Sequence, residues 1–495
     1  MQLQKEQLEN IINRAKYYDT EEEVWIPPFL EILETYGKEN LEMGKIVTFD
    51  SFDKKGKIPI FMLNSLLGFL SYVHKREQWE RFVSQKVLGE IYYDYLEQLF
   101  NISKGILPEI LLLSKKDIVY LDYDDVIQIS ISYPVWARKV TEVTVQWCDF
   151  MGEMLNRIQK DMDYHSITKL YSMGSDSHNY GRRVFCFELD GTRKLLYKPH
   201  GFDMDEGWIR LCKWVSKKMQ RKIPYIKIKN YGTYGYAEYI SYCSPTEKEI
   251  PKFFYHAGIL LCLMYWIKGT DIHYENIIAH GAWPYIVDLE TVSGEKEGFT
   301  VLDTSMLQNK KYRSGKEIDD FGALTNSSQE CFSLPRYKEQ IVTAKGYVEE
   351  IQSGFQEIYS ILMKTSQREI NFFKQCSPRC VLHPTSYYST LLARLLLKDT
   401  LTDGRLYYQE AKRSLERVQK SESIVESECK AILRGDIPIF YHKKGTKDLY
   451  DTERVIEKEF FKYFPGKALC REFTNEELQK QLKLIQEGSC KSIDN

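Results

Sequence analysis

The chain contains no C-x-x-C pair, no G-x-x-x-x-G-K-[ST] loop, no excess charge of either sign and no apolar run of membrane-spanning length. Each absence removes a class of protein. The formal net charge is -2, so no global basic field draws the chain to nucleic acid, although local basic patches are compatible with that balance. The 11 cysteines are scattered. Their closest spacing, Cys376 and Cys380 in CSPRC, has no second ligand pair beside it, and unpaired thiols are the simpler reading. The opening MQLQKEQLENIINRAKYY is charged and amphipathic, without the apolar core of a signal peptide. An odd cysteine count without a secretion signal points to reduced thiols in a cytoplasm. The most apolar run, Ala257–Ile267, is too short to cross a bilayer and reads as a buried helix. Without the Gly-rich Lys motif, a P-loop nucleotide-binding fold is disfavoured.

At 495 residues, 43% of them hydrophobic and 28% charged, the chain is too long for one hydrophobic core, and more than one domain or lobe is expected. Residues 1–165 read as helical: NSLLGFLSYVHKREQWERFVSQKVLGEIYYDYLEQLF repeats apolar residues at three- and four-residue spacing, and FLEILETYGKENLEM is similar. This region carries no catalytic cluster and reads as a scaffold or peptide-binding part. The texture changes near Ile167. RRVFCFELDGTRKLLYKPHGF alternates apolar residues around LDGTRK, a hairpin turn. A helix follows in DMDEGWIRLCKWVSKKM, then strands in IPYIKIKNYGTYGYAEYIS, the buried helix, a polar loop, and a short strand in YIVDLET. Residues 166–291 thus form a mixed core, with a sheet early and helices late. Residues 292–375 form a polar insert: GEKEGFT, QNKKYRSGKEIDD and TNSSQE read as mobile loops, and KEQIVTAKGYVEEIQSGFQEIYSILMK reads as a helix. From Pro378 onward, in a 376–495 region, helices dominate.

The polar loop GTDIHYENIIAHGAWPYIVDLET holds Asp271, His273, Asn276, Asp288 and Glu290 within two dozen residues. Asp271 and Asn276 lie five apart, as the catalytic-loop Asp and the metal-binding Asn do in protein kinases, and Asp288 follows where a kinase has its metal-binding Asp. The chemistry asks for such a set. ATP phosphates need metal ions, the metal needs hard oxygen ligands, and a hydroxyl nucleophile needs a carboxylate to orient it and take its proton. Each residue alone has a bland reading as a cap or turn residue. What adds weight is the order: Lys198 at a strand end, then a helix whose first turn holds Asp205 and Glu206, then the cluster. Kinases use a strand lysine on the phosphates and a helix carboxylate to position it. Asp205 and Glu206 stand equally for that part, against an equally good reading as acids at a helix N-terminus. Before the hairpin, SMGSDSHNYGRRV could cover phosphates with backbone N–H groups, and its Asp176 and His178 exceed what a phosphate loop needs. Arg379, His383 and Thr385 in PRCVLHPTSYYS read by spacing as a loop and the cap of the next helix.

Taken together, GSDSHNYGRRV, LLYKPHGF, the Gly269–Thr291 loop, PRCVLHPT and ILRGDIPIF resemble the dehydratase domain of class II lanthipeptide synthetases of the LanM type, in family order over roughly residues 165–445. The resemblance implies an α+β fold: a lipid-kinase-like two-lobed core, with a mixed-sheet N-lobe and a helical C-lobe, and large helical N- and C-terminal additions. It implies an enzyme that phosphorylates Ser and Thr of a ribosomally made precursor peptide, leader plus core, using ATP and Mg²⁺, and then eliminates phosphate to leave dehydroalanine or dehydrobutyrine. On that likeness Lys198 contacts ATP phosphates, with Asp205 or Glu206 nearby. Asp271 acts on the substrate hydroxyl beside His273. Asn276 and Asp288 bind Mg²⁺, with Glu290 close by. Asp176 and His178, with Arg379 and Thr385, belong to the elimination machinery. Elimination needs a base for the α-proton and cationic or hydrogen-bonding groups for the departing phosphate, and the planar fork of Arg379 suits the latter.

The synthetases also carry a cyclase domain with a Cys/Cys/His zinc site. No Cys-His-Gly run and no WC-x-G segment occurs here, so the expectation is a dehydratase without a cyclase, holding no zinc, its rings closed by a separate cyclase and its product passed to an exporter. The segment between Asp288 and Arg379 is shorter than the family leads one to expect, which bears on how the kinase half is activated. The implied place is cytoplasmic, with room for a peripheral position at a membrane export complex. Two alternatives stay open: a peptide kinase without elimination, against which Arg379 and Thr385 argue, and a non-catalytic precursor-binding scaffold, against which Lys198, Asp271, Asn276 and Asp288 argue.

Overall fold

The computed structural model describes residues 3–19, 22–36, 60–77, 79–113, 121–291, 297–308, 312–313, 316–317, 322–326, 332–365, 372–465 and 473–490. Two compact units emerge, each assembled from two separated stretches of chain: Met1–Pro199 with His383–Pro438, and His200–Leu382 with Ile439–Asn495. The architecture is α+β with antiparallel sheets.

The first unit is built on the Pro134–Asp161 helix. Proline at the first helical position removes an N–H that has no intrahelical partner anyway. Trp136, Val140, Trp147, Met151, Met154, Leu155 and Ile158 recur on the inward face of this helix and are buried. The Gln85–Ser103 helix packs on that face, with Tyr95 hydroxyl hydrogen-bonded to Thr144 Oγ1 at 2.7 Å. Several buried polar groups here are paired, as low dielectric favours. Asp94 accepts from Trp147 Nε1 at 3.0 Å and from Arg183 at 2.7 Å, and Lys139, only 2% exposed, meets Glu142 and donates to the Leu433 carbonyl. An antiparallel meander, Ile167–Ser172, Phe185–Leu189 and Arg193–Lys198, lies in the same unit. Its second turn needs left-handed backbone, which Asp190 (φ 53°) and Gly191 (φ 68°) supply. Asp190 Oδ1 also accepts the His165 and Ser166 N–H groups, and these bonds hold its carboxyl below the usual carboxylate range. The hairpin expected around LDGTRK is therefore present, and Lys198 ends its strand.

The second unit centres on the Ile250–Ile267 helix, which is buried on nearly every side. With the turn before it, Glu247–Ile267 is long and apolar enough to cross a membrane, longer than the Ala257–Ile267 run read from sequence, yet 83% of its apolar window is buried in the fold, as expected for a core helix. The Val348–Met363 helix crosses it at very close range. A Cβ at Gly258 would stand 2.0 Å from the Ile351 carbonyl oxygen, and one at Gly354 would stand 1.9 Å from that of Tyr255. Only glycine lets the two backbones approach so closely. Around this pair sit the Asp203–Met219 helix, the hairpin Ile277–His280/Trp283–Ile286 and the Asn475–Cys490 helix, and the unit also holds the hairpin Ile228–Asn230/Gly235–Glu238.

Three expectations change. The strand expected in YIVDLET stops at Ile286, so Asp288 and Glu290 lie in the loop beyond it. The helix expected from Lys338 starts only at Val348, because Arg336–Tyr337 and Gln340–Ile341 pair as a short hairpin before it. Helices from Pro378 onward are interrupted by a four-stranded antiparallel sheet of Arg379–Cys380, Phe440–His442, Leu449–Tyr450 and Val455–Glu457. Strands of two or three residues carry too little periodicity to be read from sequence. GEKEGFT, QNKKYRSGKEIDD and TNSSQE, read as mobile loops, fall largely outside the described residues, as does the end of FLEILETYGKENLEM beyond Tyr36.

Candidate active site

The polar loop owes its shape to the end of the buried helix. Lys268 takes left-handed backbone (φ 51°) and its N–H bonds to the Met264 and Tyr265 carbonyls, closing the helix. The chain then turns sharply, and Asp271 is also left-handed (φ 64°), a conformation that Asp tolerates better than most. Two ties fasten the loop to its far end: Thr270 N–H to the Thr291 carbonyl at 3.2 Å, and Thr291 Oγ1 to the Thr270 carbonyl at 2.8 Å. A third runs from Val287 N–H to the Asn276 carbonyl at 3.0 Å. Residues 11 and 21 positions apart are thus held side by side.

Within this frame the side chain of Asp271 is 59% exposed, open to an incoming hydroxyl, and its Oδ1 stands 3.6 Å from His273 Nε2. The crowding of protein around the Asp271 carboxyl raises its pKa, more than His273 and Arg379 lower it. His273 Nδ1 accepts the Glu275 N–H at 3.3 Å, and its Nε2 faces both the Asp271 carboxylate and, at 3.4 Å, Asn276 Nδ2. Asn276 Nδ2 donates to the Asp271 carbonyl at 2.8 Å. That bond sets the amide's orientation and turns Oδ1, the oxygen a hard cation would want, to the other side. Asp288 is half-buried. Among the described residues no three His, Cys, Asp or Glu side chains gather closely enough to hold a metal unaided. Mg²⁺ does not require such a cage, since it usually takes one or two protein oxygens plus substrate phosphates, and Asn276 with Asp288 fits that donor set.

Arg379, ninety-one residues beyond Asp288, folds into the same cluster. It opens the short sheet, its N–H donates to the Glu290 carbonyl at 2.8 Å, and its Nη1 reaches Glu290 Oε2 at 3.1 Å. The other oxygen of Glu290 lies 3.1 Å from His200 Nε2. Both Glu290 oxygens therefore face cationic or potentially cationic partners. Burial works to lower the pKa of Arg379, but the carboxylates of Glu290 and Asp288 more than offset it and hold the guanidinium charged. Tyr441 pairs in register with Arg379, and burial pushes its phenol up. Asp203 fastens the Arg379 segment to the first turn of its helix. Its Oδ2 accepts the Ser377 N–H at 2.7 Å, and the Cys376 thiol donates to its carbonyl at 2.9 Å. Burial raises the Asp203 carboxyl, opposed by the Ser377 and Met204 N–H groups that its oxygens accept. Glu206 accepts from Asn230 at 3.1 Å and stands 3.8 Å from Arg210; Asp205 is its half-buried neighbour. Cys376 and Cys380 are thiols and form no disulfide with each other.

Asp176, His178, Lys198 and Thr385 belong to the first unit, while Asp205, Glu206, Asp271, His273, Asn276, Asp288, Glu290 and Arg379 belong to the second. Lys198 is 5% exposed, a burial that lysine accepts only with partners. The 173–184 loop keeps much of its backbone for itself. The His178 and Arg182 N–H groups bond to each other's carbonyls, and those of Tyr180 and Gly181 go to Asp436. These donors are not available to cradle a phosphate, contrary to the simplest reading of its small residues. Thr385 is the first residue of the Thr385–Leu395 helix rather than its cap, a position held by Pro384.

That helix is anchored by a buried acid which sequence reasoning passed over. Tyr388 hydroxyl donates to Glu428 Oε1 at 2.5 Å, and His383 Nε2 stands 3.8 Å from the same oxygen. Glu428 is 0% exposed. Burial pushes its pKa up to about 7, against the Tyr388 hydrogen bond, and burial also lowers that of His383. The folded state thus keeps Glu428 protonated between its unfolded value and about 7, and stability falls as pH rises through that window. Glu428→Gln, which mimics the neutral acid, should match wild type in thermal midpoint at pH 5 and exceed it at pH 8. The gain is at most about 3 kcal/mol, or on the order of 5 °C. Equal midpoints at both pH values would show that the carboxyl is ionised throughout.

Of the residues missed from sequence, His200 and Asp436 lie inside quoted motifs, which was the available signal. Asp203 stood in the acid-rich first turn of its helix with no role assigned to it, and Glu428 and Tyr441 gave no signal, since their partners are far away in the chain.

A family model described as a domain of unknown function, DUF4135, matches residues 133–328 and 321–443. A curated relative, the lacticin 481/lactococcin biosynthesis protein LcnDR2 of Lactococcus lactis subsp. lactis, is 23% identical over 461 aligned residues that cover 79% of this chain and 48% of the relative. The chain therefore spans about half the length of the curated relative it matches.

Proposed function

The chain belongs to the DUF4135 family, and from that premise we propose that it is a lanthipeptide dehydratase on a lipid-kinase-like core, acting on a ribosomally made precursor peptide. The observation that carries this reading is the gathering of Asp271, His273, Asn276, Asp288 and Arg379 into one cluster, with Glu290 bridging Arg379 and His200. The likeness to a protein named for lacticin 481 biosynthesis supports it independently.

In the first step Asp271 orients a Ser or Thr hydroxyl and accepts its proton, with His273 beside it. Asn276 Oδ1 and Asp288 would hold Mg²⁺, and Lys198 would meet the nucleotide phosphates, with Asp205 or Glu206 in support. Bound Mg²⁺ supplies charge neutralisation on the transferring phosphoryl group. In the second step a base removes the α-proton, its electron pair becomes the Cα–Cβ double bond, and the Cβ–O bond breaks to release phosphate. Arg379 meets the charge growing on the leaving group, and Asp176, His178 and Thr385 complete the elimination set. Glu290 holds Arg379 in place through its paired oxygen and backbone carbonyl. Passage of the product to an exporter and a cytoplasmic place accompany this reading.

The test is to incubate the chain with ATP, MgCl₂ and the precursor peptide encoded beside its gene, and to weigh the peptide. Loss of water from Ser or Thr is the expected result. A peptide that only gains phosphate would make the protein a kinase, and an unchanged one a binding scaffold.

A further inference from the structure

The ILRGDIPIF motif has no part in the chemistry above, yet it holds the loop that carries Asp176 and His178. The Glu422–Arg434 helix ends on Gly435, whose left-handed φ of 89° is costly for any other residue. Asp436 N–H then returns to the Ala431 carbonyl at 3.0 Å, and Lys139 donates to the Leu433 carbonyl. These bonds fix the place from which the Asp436 side chain starts. Opposite it, Asn179, Tyr180 and Gly181 take three consecutive positive φ values of 46°, 67° and 73°. Such a turn points successive N–H groups into a concavity suited to an anion. Here the anion comes from within: Asp436 Oδ2 accepts the Tyr180 N–H at 2.7 Å and Oδ1 the Gly181 N–H at 3.0 Å, at 1% exposure. The next residue of the motif grips the other side of the loop. Ile437 N–H donates to the Ser177 carbonyl at 2.9 Å, and the Ile437 carbonyl accepts from His178 Nδ1 at 2.7 Å. Arg182 closes the turn, donating to the Asn179 carbonyl at 2.8 Å while paired with Glu153 at 2.6 Å.

A carbonyl only accepts, so the His178–Ile437 bond requires the proton on Nδ1. In the neutral ring Nε2 is then the basic nitrogen. We infer that Asp436 is a positioning residue: its carboxylate locks the 176–182 turn, and with Ile437 it commits His178 to the Nδ1–H tautomer, leaving Nε2 to take or give the proton of elimination. Two strained non-glycine residues, Asn179 and Tyr180, are held in this conformation because their neighbourhood over-determines it. The inference rests on the elimination role proposed above for His178, but its structural half is measurable without substrate.

The experiment labels the nine histidines of the full chain with ¹⁵N in the imidazole and records their ring correlations. His178→Gln identifies the ring of interest. In wild type at pH 8 that ring should show the Nδ1–H form. In Asp436→Asn, whose amide cannot accept both N–H groups in the same geometry, it alone should change to a mixed or Nε2–H form. The other eight, unchanged, would report an intact fold. A wild-type His178 found as Nε2–H, or a His178 signal in Asp436→Asn superposable on wild type, overturns the inference. Should Asp436→Asn fail to fold, Asp436→Glu, which keeps the charge but displaces it by one methylene, is read in the same way. With ATP, MgCl₂ and the precursor peptide, the folded variant should accumulate phosphopeptide through a roughly hundredfold slower elimination, the cost typical of a misplaced catalytic group. Normal dehydration by a variant whose His178 ring has changed would also overturn it. A wild-type chain that leaves the peptide untouched, with the ring result as expected, counts against the dehydratase reading and not against the role of Asp436 in holding the turn.

Discussion

Asp288→Ala is expected to give a folded protein that neither phosphorylates nor dehydrates peptide. The residue lies just beyond the Trp283–Ile286 strand, and the tie from Val287 N–H to the Asn276 carbonyl does not involve its side chain, so the loop should keep its shape. What goes is one of the two hard oxygens offered to Mg²⁺. A catalytic metal is worth several kcal/mol of transition-state stabilisation, so the phosphoryl step should slow by about a thousandfold or more. Elimination has no substrate without that step, and both products vanish together. MgATP titration of the variant gives a readout independent of peptide: affinity should fall while the thermal midpoint stays near wild type. Dehydration at close to the wild-type rate would remove Asp288 from the metal site.

Arg379→Ala, in contrast, should trap the intermediate. Its backbone N–H still donates to the Glu290 carbonyl and its strand still pairs with Tyr441, so the segment is held without the guanidinium. Glu290 keeps His200. The charge growing on the leaving phosphate loses its donor, a change that commonly costs on the order of a hundredfold or more. The peptide should therefore accumulate heavier by phosphate, where wild type yields one lighter by water. Thr385→Ala should act in the same direction but less strongly, since a hydroxyl is a weaker handle. The closeness of Arg379 to Asp271 adds a second signature. Its positive charge helps lower the Asp271 pKa, which the protein crowded around the carboxyl raises. Removing that charge lets the carboxyl rise further, and the acid limb of the phosphorylation rate should move to higher pH. Normal dehydration by Arg379→Ala, or loss of both reactions in a variant shown to be folded, would deny it the elimination role.

Much of the local structure follows from the sequence alone. The Ile250–Ile267 helix, the turn at Asp190 and Gly191, the strand ending on Lys198 and the helix from Asp203 rest on periodicity and turn chemistry within a dozen residues. The grouping of Asp271, Asn276 and Asp288 was legible for the same reason, since one helix end and one hairpin bring them together. Tertiary structure alone decided the rest. It joined Arg379 to Glu290 across 89 residues, and Asp436 to the 179–181 turn across 255 and more. It turned a loop that looked ready to cradle phosphate into one whose Tyr180 and Gly181 donors are already satisfied from within. Pairs this distant leave no periodic trace, because they arise only when burial strips a charged or hydrogen-bonding group of water and the fold must supply its partner.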